Sequence, residues 1–449
     1  MNENNNLKRE LGLTAATAIV VGNMIGSGIF TSPQSLAQVS NPLTTVLAWI
    51  ITGIGSVLLA LSFANLGTKY PTTGGPIVYT HKAFGEFTGF LIAWTFWIGS
   101  WIGNAAIITA IIRYLTPFFP ILSENGIVAF LISSAFLWFV TYINFKGVKE
   151  AGIVGIITTT LKLAVILVFL VIAIYGFNPE YLKTYSSPEV TGLGSLPSAI
   201  AVTLWSFIGL ESAVVSGGEI KNPEKNIRKS TILGTIFASI IYMLLSVLAM
   251  GGLSQAELAA SDAPLSAIIN SITGGTWGGA FISLGVIISA AGAASGWIMT
   301  TGRIAYAAGT DGLFPKFFTH LHPKFKTPTT ALILSTICTN ILLIANYVSS
   351  LTSAFDFMIN LATLSFIPAY AFSACAEIIL TYKSGNKLSF SKFIKHSFFS
   401  ILAFIYAVYI IYGSGAESAM WIFILMLLGI PFYVYKKLQD SNTQKEDME

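Results

Sequence analysis

The chain has 449 residues, 54% of them apolar and 10% charged, with a mean hydropathy of +0.73 and a formal net charge of +4. Soluble domains carry roughly 25% charged residues, so this composition excludes a soluble globular protein and specifies a polytopic membrane protein. Its two cysteines, Cys338 and Cys375, lie inside apolar segments and suggest neither a disulfide scaffold nor a cysteine metal site.

Residues 1–10 form a polar tail with no cleavage pattern after it, so the first apolar run reads as a retained span. Windows of about 20 apolar residues predict twelve helices. They fall at 11–36, 43–67, 85–116, 126–145, 151–176, 195–219, 230–252, 277–307, 329–348, 355–382, 397–414 and 417–435. Between them, 177–194 and 253–276 read as loops on one face and 308–328 as a loop on the other, with 436–449 as a second polar tail. An even number of spans puts both termini on one side. If that side is the cytoplasm, 21 of the 24 Lys and Arg residues face it, as the positive-inside rule requires. Arg113 and Lys183 fall on the opposite face, and Lys162 lies inside a span. The net positive charge therefore reports topology in a lipid bilayer, and no nucleic-acid partner is needed to explain it.

The first span contains VGNMIGSGIF, residues 21–30, where Gly26, Ser27 and Gly28 interrupt the apolar run at mid-depth. Small residues at a close helix contact would account for them. So would an unwound segment, which hydrocarbon tolerates only where the backbone lines a cavity. The sixth span, LWSFIGLESAVVSGGEIKNP, repeats the feature with Gly209 at mid-depth and Glu211 two residues on. Interrupted spans at corresponding places in two halves point to a transport site between inverted repeats. Both interrupted spans run on to an Asn-Pro pair, Asn41-Pro42 and Asn222-Pro223.

GNMIGSGIF in the first span, YPTTGGPIVY after the second and WIGNAAIITA in the third resemble motifs of the amino acid–polyamine–organocation superfamily. WSFIGLESA in the sixth span and GWIMTTGRIAYAAGTDGLFP in the eighth do so too. Together they look most like its basic amino-acid/polyamine antiporters, the arginine–agmatine exchangers among them. The resemblance implies an all-α, LeuT-type fold of five plus five inverted spans with two added. The repeats would be 11–176 and 195–382, followed by 397–435. It also implies alternating access, no cofactor or metal, and an amino-acid substrate; relatives suggest a homodimer.

In physical terms, a half-helix starting near Gly28 points its free N–H groups and positive dipole end at an anion. A substrate carboxylate fits that place, and by resemblance Ser27, Gly28 and Ile29 hold it. Asn23, one turn earlier, either meets the substrate or holds the unwound backbone. Trp205 and Trp297 align with aromatics that cover the substrate in the arginine–agmatine exchangers. An indole face over a desolvated cation contributes about 2 kcal/mol, and it serves equally as an apolar lid. Most other tryptophans, such as Trp49 and Trp421 near span ends, read as interface anchors. Asn104 is a buried amide suited to interhelical bonding or, by resemblance, to substrate contact. Phe207 and Ile208 belong to the expected break of the sixth span.

An acid within a span costs roughly 2.5–3.5 kcal/mol on insertion scales and is usually kept for function, which makes Glu211 a candidate proton sensor or gate. Lys162 departs from the arginine–agmatine pattern. Its ammonium could replace the sodium ion that holds related folds together, and could carry a coupling proton. A fixed cation there opposes a dicationic substrate, so exchange or proton symport of small neutral amino acids competes with exchange of a cationic amino acid for its amine. An ion pair between Lys162 and Glu211 is conceivable. Tyr242, Leu361 and Thr363 are possible wall positions, and Glu377 reads as structural or gating. The chain has no His-Glu-x-x-His, Gly-x-Ser-x-Gly or phosphate loop, so an intramembrane enzyme is disfavoured. A channel would want rings of charge or carbonyls along a pore.

Overall fold

The computed structural model describes residues 7–26, 28–116, 118–184, 192–261, 263–348, 351–383 and 390–446. The first span is two helices, α1 (Leu13–Met24) and α2 (Gly28–Val39), followed by α3 (Pro42–Lys69), α4 (Pro76–Phe84) and α5 (Glu86–Leu115). Next come α6 (Ile121–Glu124), α7 (Gly126–Lys146) and α8 (Val148–Tyr175). The sixth span is also divided, into α9 (Leu196–Trp205) and α10 (Ser212–Val215), and leads to α11 (Pro223–Met250). The remainder is α12 (Gln255–Ala260), α13 (Pro264–Thr273), α14 (Trp277–Thr310), α15 (Thr329–Val348), α16 (Leu351–Tyr382), α17 (Phe390–Gly413) and α18 (Ala416–Glu446). Among the described residues the only β pairings are two isolated bridges, Leu11 with Ile220 and Thr73 with Ser216.

Counting α1 and α2 as one interrupted span, nine helical spans among the described residues are long and apolar enough to cross a membrane. Shorter apolar stretches in α9, α15 and α17 lie at the other three expected spans. The all-helical membrane fold is thus as expected, with three differences in detail. The stretch 253–276, expected as a loop, contains α12 and α13; Leu265, Ile268 and Ile269 sit at helical spacing and are buried, but ten residues are too few for a span-length window. The segment after the second span folds as α4 behind Pro76 at its first turn. The last helix continues through 436–446, well past the expected end of the twelfth span.

Both Asn-Pro pairs start helices. The Asn41 side chain accepts from Thr44 N at 3.0 Å and Thr44 Oγ1 accepts from Asn41 N at 3.0 Å, a reciprocal cap for α3. Asn222 takes a left-handed conformation, φ 45°, ahead of Pro223 in α11. Burial sorts the bundle into layers. The helix α5 is buried along most of its length and packs on α14 and α16, whereas α7, α8 and α18 turn much of their surface outward. Helix α1 lies against α8, α11 and α14. The two interrupted spans therefore meet at the centre, walled by α5, α14 and α16.

Candidate functional site

At mid-depth the last carbonyls of α1 have no helical partner, and lipid offers none. Side chains from two neighbours supply the donors. Lys162 Nζ on α8 donates to Gly22 O at 2.9 Å and to Ile25 O at 2.6 Å. On α14, Ser289 Oγ donates to Ile25 O at 3.2 Å and Trp297 Nε1 to Asn23 O at 3.2 Å. Asn23 Nδ2 reaches across to Ser212 Oγ at 2.8 Å and Thr300 Oγ1 at 3.3 Å, tying both interrupted spans to α14. Opposite these, the N–H groups of Gly28 and Ile29 at the start of α2 meet no acceptor among the described residues. Ser27, at the junction, lies outside the described residues. A Cβ on residue 28 would run into the Trp205 indole, so only glycine lets the ring lie this close.

The second break is built with the opposite sign. Gly209 has φ 113°, a region that strains any side chain-bearing residue, and a Cβ there would come within 2.9 Å of Asn23 Cβ. Its freed N–H donates to Glu211 Oε2 at 3.2 Å, and Tyr370 Oη on α16 donates to the same oxygen at 2.7 Å. Glu211 Oε1 has no partner among the described residues. Tyr242 Oη on α11 donates to Ser206 O at 2.7 Å, closing the other side of the turn.

Between the breaks lies a cavity of about 20 Å³, bordered by Asn23, Gly28, Trp205, Ile208, Trp297 and, from α5 and α16, Ser100, Gly103 and Phe366. That is room for about one water, so the chamber is closed in this conformation. Trp297 stands edge-on to Phe366 with ring centroids 5.4 Å apart. Trp205 borders both this cavity and a polar vestibule of about 310 Å³ that opens away from the N-terminal face. On that side the indole is the partition.

The N-terminal side is sealed far more thickly. Arg303 is completely buried and grips Glu219 with two bonds, Nε to Oε2 at 2.8 Å and Nη2 to Oε1 at 2.9 Å. The Glu219 carbonyl accepts from Glu10 N at 2.9 Å and Leu11 N at 3.0 Å, and Lys221 N donates back to Leu11 O at 2.8 Å. Gly74 N donates to Val215 O at 2.9 Å. Four stretches of chain interlock there.

A central chamber between two broken spans, shut by one ring on one side and an ion pair on the other, is the form of a solute carrier. The family model described as amino acid permease matches residues 11–433. The chain belongs to the amino acid permease family. Relatives extend over almost the whole of the permease. A Clostridium perfringens (strain 13 / Type A) protein named for amino-acid transport is 32% identical over 99% of this chain and 94% of its own length. The arginine/agmatine antiporter of Chlamydia felis (strain Fe/C-56) is 32% identical over 97% of this chain and 92% of its own. That of Chlamydia pneumoniae is 31% identical over 97% and 92%. The permease is thus a multi-pass membrane transporter.

The residues singled out from sequence distribute unevenly over the permease. Asn23, Gly28, Trp205, Ile208 and Trp297 border the chamber. Asn104 lies beside it, its Nδ2 donating to Thr301 Oγ1 at 3.1 Å and its Oδ1 without a partner among the described residues. Ile29 is buried but does not border the chamber. Phe207 points elsewhere: it packs with Trp49 and Tyr242 at centroid distances of 6.1 and 5.3 Å. Trp49 is accordingly not an interface anchor, being 2% exposed, because the turn at Ser206 directs this part of the sixth span toward α3 and α11. Lys162 and Glu211 make no ion pair; each serves its own break. Glu377 binds Asn65 and Ser400, both at 2.7 Å, in a structural network. Thr363 borders the vestibule.

Sequence reasoning missed Ser289, Thr300, Thr301 and Tyr370, which hold the breaks and their neighbours. Small polar residues recurring along the eighth span were a signal for the first three. Tyr370 carried none.

Proposed function

We propose that this permease is an antiporter that exchanges a cationic amino acid for another amino acid or its decarboxylated amine by alternating access. The observation that carries this reading is the chamber itself. The N–H groups at the start of α2, which meet no acceptor among the described residues, stand ready for a carboxylate, while two indoles, Trp205 and Trp297, border the same space and can face a cationic side chain. The relatives named as arginine/agmatine antiporters support it. In this reading Asn23, Ser27, Gly28 and Ile29 serve the carboxylate end, and Asn104, Trp205, Ile208 and Trp297 the remainder. Phe207 acts only by supporting the turn. Lys162 stands in for a structural cation at the first break, and Glu211 couples protonation to the second. In the same reading the two repeats are 11–176 and 195–382, and the basic-residue count supports cytoplasmic termini.

A second reading draws on Lys162. Its buried ammonium lies beside the first break and would favour small neutral amino acids over dications. Proteoliposomes loaded in turn with arginine, agmatine, lysine, ornithine or alanine separate the two. Arginine uptake should require arginine or agmatine inside. Uptake driven only by neutral amino acids would overturn the cationic reading and favour the second.

A further inference from the structure

Arg113 is one of two basic residues that the charge pattern leaves on the face opposite the termini. A cation in the last turn of α5 suits the negative end of that helix, which would be reason enough for it if it pointed away from the transport path. It does not. Arg113 borders the vestibule outside Trp205, and among the described residues lining that space it is the only charged one. The walls around it mix amides and hydroxyls, including Gln34, Gln38, Asn360 and Thr31, with apolar residues such as Val39, Val202 and Ile359. Gly28 borders both the vestibule and the chamber, so the two spaces meet at the start of α2, with Trp205 between them. At about 310 Å³ the vestibule reaches the lower end of the volume range typical of small-molecule sites, roughly 300–1,000 Å³.

We infer that the vestibule is a staging site in which Arg113 takes the carboxylate of an incoming amino acid before Trp205 moves. The inference rests on the exchange reading above and deepens it. An amino acid and its decarboxylated amine carry the same side chain, so the two indoles cannot tell them apart by that end. A guanidinium pairs with a carboxylate in a fork geometry and repels an amine that lacks one. Placed on the outer side only, it favours loading of the amino acid there and lowers its external KM relative to the amine. The neighbouring amide oxygens are suitable acceptors for the α-ammonium.

The experiment is uptake into right-side-out vesicles, reading external KM for arginine and for agmatine in the wild type, Arg113→Gln and Arg113→Lys. Loss of one unit charge facing a cleft is expected to move the ratio of the two KM values about tenfold toward agmatine in Arg113→Gln, and Arg113→Lys should hold most of the wild-type ratio. Equal changes for both substrates, or no change, would mean that Arg113 only finishes a helix and would overturn the staging site. Salt offers a test on the unaltered protein: raising ionic strength should shrink the arginine preference of the wild type; a preference indifferent to salt would count against the inference even if Arg113→Gln failed to fold. Wild-type vesicles that take up neither arginine nor agmatine would refute the exchange reading instead. The Arg113 comparison would then be run on the amino acid that is transported and its decarboxylated amine.

Discussion

The two helix breaks solve one problem with opposite charges. At the first, α1 ends and its carbonyls are stranded; a cation, Lys162, binds two of them. At the second, the stranded group is the Gly209 N–H, and an acidic side chain, Glu211, accepts from it. Each charge is completely buried, and each has a hydroxyl assisting, Ser289 in one case and Tyr370 in the other. The difference lies in what is left over. Lys162 spends two of its three N–H donors on carbonyls of one backbone stretch, whereas Glu211 takes one backbone and one side-chain donor on a single oxygen and keeps the other without a partner among the described residues. The first break is therefore braced against fixed backbone, and the second depends on Tyr370, a side chain carried by another helix. Bracing against backbone suits a rigid carboxylate site; a side-chain link between helices suits a group that changes partners during transport.

The largest effect expected from this contrast is at Lys162. Lys162→Met removes the donor to Gly22 O and leaves Ile25 O with Ser289 Oγ alone; a buried carbonyl left unsatisfied costs about 1–3 kcal/mol. Exchange should fall on the order of a hundredfold, with a lower thermal midpoint in detergent; normal uptake at normal stability would end the bracing argument. Trp297 joins the two functions, since its Nε1 holds Asn23 O while its ring faces the chamber. Trp297→Leu should reduce cationic exchange about thirtyfold, the equivalent of about 2 kcal/mol of cation–π contact, in protein that still inserts. Unchanged arginine uptake would rule out the aromatic grip. Glu211→Gln keeps an acceptor for Gly209 N and Tyr370 Oη but cannot lose a proton. Exchange assayed across pH should give a flattened profile with a small change in maximal rate, and an unaltered profile would reassign Glu211 to structure. Smallest of all is Tyr370→Phe, which removes one hydrogen bond worth about 1 kcal/mol. Its signature is a modest drop in thermal midpoint, and no drop would mean that the Glu211 carboxylate is held by Gly209 alone.

Much of this was readable in the linear chain. Glycines in the midst of apolar runs marked both breaks, because in hydrocarbon an unpaired backbone is tolerated only where something else satisfies it. Buried Lys162 and Glu211 announced themselves by their cost in lipid. Their partners did not. An ion pair between them looked conceivable, yet each found backbone closer at hand. Phe207 and Ile208 are adjacent in sequence and sit in one turn, but one faces the chamber and the other an aromatic cluster with Trp49 and Tyr242. The ion pair of Arg303 with Glu219 joins residues 84 positions apart. Arg303 appeared in the sequence only as one more basic residue on the side of the termini.

What the amino-acid order determined by itself was the all-helical membrane class, the expected sidedness of its basic residues and the places along the chain where two spans break. Those depend on hydropathy, charge asymmetry and backbone propensity, which are local or additive along the chain. Tertiary structure decided which carbonyl meets which ammonium, which tryptophan divides chamber from vestibule and where Arg113 faces. Helices that are apolar on every side carry little record of which face meets which neighbour, so these contacts exist only once the bundle has packed.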